Sequence, residues 1–113
     1  MVRVRLEEIA HGRSGDKGDA SNVGLIARSP EAYRWMREHL SPEWVKQTFG
    51  QIVKGPVERY ELPNLLALNF ILHEALGGGG SESLLTDAQG KTHAQGLLQV
   101  ELEVPQEVLV SVR

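Results

Sequence analysis

The chain has 113 residues, 12 of them basic and 15 acidic, for a net charge of −3; 41% are hydrophobic and none is cysteine. That length holds one domain, 1–113, which should bury roughly 65% of its unfolded surface and fold without a disulfide or metal staple. The acidic balance argues against a nucleic-acid partner, and the missing cysteines exclude thiol catalysis, disulfides and thiolate metal sites.

Val2, Val4 and Leu6 alternate with Arg3, Arg5 and Glu7, so a half-buried strand is expected over 2–10. Gly12, Gly15 and Gly18 recur every third residue, which marks 11–19 as a loop. Residues 22–28 read as a buried strand of the same sheet. Ser29-Pro30-Glu31 and Ser41-Pro42-Glu43 each combine an N-cap hydroxyl, a proline at the first helical position and an early acid. A helix–turn–helix corner is therefore expected over 30–49, with Ala32, Tyr33, Met36 and Leu40 inward and Gly50 as a C-cap. Val57–Leu62 alternates as a strand, with Glu58, Tyr60 and Leu62 on one side. The run 65–76 is apolar nearly all round, which predicts the most buried helix, over 64–76. A short strand at 83–86, a tight turn at 87–91, an amphipathic strand over 98–104 and a last strand around Val108, Val110 and Val112 complete the chain. Residues 92–97 fit either a bulged strand or a helical turn. The sum is α+β: an open-faced α/β sandwich, its sheet mixed or mostly antiparallel, with two main helical segments packed on it.

No stretch reaches the ~20 apolar residues of a membrane span, and Met1–Arg5 has no signal-peptide core, so no membrane partner and a cytoplasmic location are expected. Three features carry possible chemistry. The first is the loop Gly12, Arg13, Ser14, Gly15, Asp16, Lys17, Gly18 and Asp19. Its glycines would point backbone N–H groups into a concavity, and its two cations would add charge for a carboxylate or phosphate. The plain alternative is a tight connection in which Asp16 and Asp19 cap backbone groups. The spacing matches no nucleotide-binding loop and no calcium loop, and the four histidines show no close ligand pair, so no cofactor and no metal are expected. The second is Gly77, Gly78, Gly79 and Gly80, which would either close over a ligand or simply cap a helix. The third is Asn69 with His73, four apart, which would satisfy loop backbone or face a pocket where His73 serves as a base. Ser14, Ser81 and Ser83 lack a nucleophile elbow.

The runs HGRSGDKGDASNVGLIAR (11–28), VERYELPNLLALNF (57–70) and ALGGGGSESLLTDAQGK (75–91) together resemble the C-terminal domain of acyclic terpene utilisation protein A, AtuA. The resemblance spans residues 4 to about 104 and implies a ferredoxin-like fold. It also implies a role in acyclic terpenoid or branched acyl-CoA catabolism, and it carries no established catalytic residues. It adds Asn22 and Lys91 to the expected ligand-binding set. In longer members this domain follows a much larger one. The expectation here is thus a stand-alone small component, a homo-oligomer binding a small anionic ligand and acting with a separate large AtuA-type partner. The alternative is an oligomerisation or assembly module with no ligand of its own; whether any reaction is catalysed stays open.

Overall fold

The first extended segment is broken once, and the break sends its two halves to different sheets. β1 (Val2–Arg5) ends in a 3-10 turn, Leu6–Glu8, after which β2 runs from Ala10 to Lys17. The computed structural model describes residues 1–17, 20–50, 53–74 and 94–113, without the side chains of Asp16 and Lys17. β3 (Ala20–Ala27) returns along β2, so the expected loop over 11–19 is for most of its length a strand of a hairpin. Glycine every third residue is poor for a strand, but each residue from Ala10 to Lys17 has a register partner on β3.

The helical corner forms as its caps dictate. α1 is Pro30–His39, with Ser29 Oγ accepting from Ala32 N at 3.0 Å; α2 is Pro42–Phe49, with Ser41 Oγ accepting from Trp44 N at 3.0 Å. Ala32, Tyr33, Met36 and Leu40 are buried, and Trp35 joins them. Gly50 ends α2 at φ 60°, a conformation that favours glycine. β4 is Val57–Leu62, as its alternation predicts.

The expected helix at 64–76 is instead a 3-10 turn, Pro63–Leu65, followed by β5, Ala67–Leu72. Leu66, at φ 53°, breaks any helix at its start. Leu68, Phe70 and Leu72 point into the core while Asn69 and Ile71 stay half-exposed; the apolar Ile71 on the outer side is what masks a period of two. β5 lies in the middle of the sheet, between β3 and β4 and antiparallel to both. β3 and β4 therefore run the same way, joined through α1 and α2, with β5 slotted between them. This is the split β–α–β arrangement of ferredoxin-like folds.

The order of the four-stranded sheet is β2-β3-β5-β4. β1 pairs instead with β6 (Glu101–Val104) in a separate two-stranded sheet, so the expected single sheet for 2–10, 22–28 and 57–62 is corrected. The amphipathic strand is shorter than expected because 94–98 form a helical turn, α3. The final valines lie on a helix, α4 (Gln106–Ser111), rather than a strand. Pro105 occupies its N-cap. Val108, Leu109 and Val112 form its inward face, while Val110 is 61% exposed. Ser29 Oγ and Ser111 Oγ, 2.7 Å apart, tie the start of α1 to the end of α4.

One connected core holds these pieces together. Val23, Leu25, Leu68, Phe70 and Leu72 supply it from the sheet, Met36, Leu40 and Val45 from the helices, and Leu97 and Val104 from the C-terminal part. Arg59, on the inner side of β4, donates from Nη1 to Arg37 O at 2.8 Å and to Leu40 O at 3.1 Å. A cation thus meets the carbonyl end of α1, where the helix dipole favours it.

Candidate functional site: the outer face of the sheet

Strand alternation sends one set of side chains to the core and the other to the opposite face. Most residues of that outer face are exposed or half-buried, with Ala67, 4% exposed, the exception. Register places its residues in rows across the strands. One row is Arg13, Gly24, Asn69 and Tyr60; on one side of it lie Gly15, Asn22, Ile71 and Glu58, and on the other His11, Ile26, Ala67 and Leu62. Arg13 and Asn22 are exposed, and Asn69 is half-buried. Among the described residues Arg13 makes no hydrogen bond or ion pair. His11 is engaged, its Nε2 2.9 Å from Arg28 Nη1.

Three side chains at the β4 edge form a chain. Tyr60 Oη donates to Glu58 Oε1 at 2.6 Å, and His73 Nε2 bonds Glu58 Oε2. The Tyr60 hydroxyl first, and the His73 ring second, hold the Glu58 carboxyl below its ordinary value; Glu58 in turn pushes the Tyr60 phenol up. The face thus offers a guanidinium fork with no partner among the described residues and suited to a carboxylate or phosphate, two amides, and a hydrogen-bonded acid–phenol–imidazole group.

The structure brings together some of the residues expected to bind a ligand and separates others. Arg13, Gly15, Asn22 and Asn69 share the outer face. Asn69 and His73 also share it, because positions four apart fall on one side of a strand as they do on a helix. Gly12 and Ser14 face inward and serve the fold: Ser14 Oγ accepts from Ala94 N at 2.6 Å at the start of α3. The expected cradle of successive N–H groups over 12–19 is not formed through Lys17, because extended backbone points alternate groups in opposite directions. Gly18, Asp19, Gly77, Gly78, Gly79, Gly80 and Lys91 lie outside the described residues, as do the strand at 83–86 and the turn at 87–91. Glu58 and Gly24 were not among the expected site residues. The alternation of 57–62 already puts Glu58 beside Tyr60, whereas nothing in the sequence distinguishes Gly24.

A separate open cleft of about 450 Å³ lies beside the start of β4, lined by Glu43, Lys46, Lys54, Gly55 and Glu74 with Pro42, Pro56 and Val57. None of the expected site residues lines it. Its Lys46 ammonium is spent on the carbonyl oxygens of Val53, at 3.3 Å, and Gly55. Among the described residues no group of three or more histidine or carboxylate side chains is placed to hold a metal, and no helix is long and apolar enough to cross a membrane.

Neither the search of curated proteins nor the search of solved structures returns a match. The family comparison does: residues 4–103 match the AtuA ferredoxin-like domain, in agreement with the split β–α–β sheet, and the chain belongs to that family.

Proposed function

We propose that this AtuA ferredoxin-like domain is a small accessory, ligand-binding component of acyclic terpenoid or branched acyl-CoA catabolism. It works in the cytoplasm with a separate large AtuA-type partner, and its outer sheet face receives an anionic acyl compound. Family membership supports the metabolic setting. The observation that carries the binding role is the row across the open face. Arg13, with no partner among the described residues, stands in line with Asn69 across Gly24, and Asn22 lies one row away. The guanidinium would take the carboxylate of a free acid or a phosphate of coenzyme A, and the amides would orient the group beside it.

Titration calorimetry with isovaleryl-CoA and with free isovalerate tests the reading. Binding by the wild-type chain that Arg13→Ala and Asn69→Ala both weaken supports it. Absence of heat with both probes, or heat that Arg13→Ala leaves unchanged, overturns it.

A further inference from the structure

Glycine is a poor strand former, and a glycine inside a strand marks close approach by something. For Gly12 the neighbour is in the chain: a Cβ there would stand 3.0 Å from Leu98 Cδ1 and 3.3 Å from Ala94 Cβ. The outer-face glycines have no such reason among the described residues. Nothing lies within 4 Å of a Cβ built on Gly15, and the nearest atom to one on Gly24 is Asn69 Oδ1 at 3.8 Å. Neither has a positive φ. Against the described residues a side chain would fit at both positions, which leaves the space over them open to another molecule.

The pattern of the face selects that molecule. The order β2-β3-β5-β4 puts Arg13 on one edge strand and Tyr60 with Glu58 on the opposite edge strand. Turn a second copy about an axis parallel to the strands, and β2 falls over β4 and β3 over β5. Each row then meets itself reversed. Arg13 stands over the partner's Tyr60, one row from the partner's Glu58. Gly24 faces the partner's Asn69. A cation meets a ring and a carboxylate, and the missing side chain leaves room for an amide.

We propose that, without ligand, two copies of this chain pack outer face to outer face about this two-fold axis, with Gly24 admitting the partner's Asn69 and Arg13 answering the partner's Glu58. Four strands about 4.8 Å apart and six residues long at about 3.3 Å each give a footprint of about 400 Å² per copy. About 800 Å² in total is below the ~1,200–2,000 Å² of stable interfaces, so the pairing is weak and reversible. It also uses Arg13, so pairing and anion binding on one copy exclude each other, and an anion favours the single chain.

Sedimentation of the ligand-free chain, from about 1 to about 500 µM, reads a weak pairing. The expected mass rises from 12.5 kDa toward twice that value. Gly24→Val should remain at the lower mass with its melting temperature kept, since the single copy has room for the side chain. Arg13→Glu and Glu58→Arg should each weaken pairing about ten-fold or more, and the double variant should recover most of the loss. A constant 12.5 kDa, a Gly24→Val chain that still pairs, or a charge swap without recovery overturns the proposal. The two readings fail separately: mass without ligand decides pairing, and heat with isovaleryl-CoA decides anion binding.

Discussion

The two faces of one sheet are built to different rules. On the inner face the described polar side chains have tasks in the fold: Ser14 holds the start of α3, and Arg59 holds the end of α1. Gly12 is there because Leu98 and Ala94 occupy the space its side chain would need. On the outer face, Arg13 has no partner among the described residues, and two glycines leave room that nothing described fills. A side chain that serves the fold is read from its contacts. The proposed recognition role of Arg13 rests on the contacts it lacks among the described residues, and the contrast between faces of the same four strands is what makes that lack visible.

The contrast breaks first if the inner face proves tolerant. Phe70 is fully buried at the centre of the core, and Phe70→Ala should cost about 3–5 kcal/mol in urea unfolding. A cost under about 1 kcal/mol would mean the sheet is not packed as described. Next in size are the glycines. Gly12→Val must displace Leu98 and Ala94 and should cost about 1–3 kcal/mol. Gly24→Val, measured on the dilute single chain, should be neutral or stabilising by up to about 1 kcal/mol, since valine suits a strand better than glycine does. Equal costs at the two positions would erase the distinction between the faces.

How far the sequence showed these faces depends on the element. The helical corner was legible because Ser29-Pro30 and Ser41-Pro42 are local signals whose cap bonds form within three residues. β4 was legible because its alternation is complete. β5 was not. Its outer side carries Ile71 as well as Asn69, so a central strand covered by helices on one side reads as an apolar helix. α4 failed in the opposite sense: Val108, Val110 and Val112 alternate, but contact with α1 through Ser29 and Ser111 selects the helix, and Val110 is left in solvent. Propensity lost to tertiary packing in both cases. The site inherited those errors. Arg13 and Asn69 were both visible as candidates, but their alignment needs β2 and β5 to be strands on either side of β3, a long-range fact that no local pattern carries.

Arg13→Ala separates the faces from the functional side. The side chain is exposed and makes no described contact, so stability should stay within about 0.5 kcal/mol of wild type. Loss of a charge-assisted contact worth about 1.5–3 kcal/mol should weaken isovaleryl-CoA or isovalerate binding about ten-fold or more in calorimetry. Lower stability together with unchanged binding would assign Arg13 to the fold and leave the outer face without its charged donor.

The smallest effect comes from the Glu58–Tyr60–His73 chain, and its sign follows from the two shifted groups. Glu58 is held below its ordinary value, first by the Tyr60 hydroxyl and then by His73, so the folded chain gives up this proton more readily than the unfolded one. Its contribution to stability is present above the ordinary glutamate range and is lost as pH falls through the lowered value. Tyr60 is raised by Glu58, so its contribution is present below the ordinary tyrosine range and is lost as pH rises through the raised value. Tyr60→Phe removes the largest cause of the first shift and the whole of the second. The melting temperature of wild type should therefore exceed that of Tyr60→Phe by a small margin near neutral pH, and the margin should narrow toward both acid and alkali. Because Glu58 and Tyr60 are exposed, high salt should shrink the charged part of that margin. Melting curves that stay parallel at every pH would show that these side chains are no more coupled than any solvated pair on a strand edge.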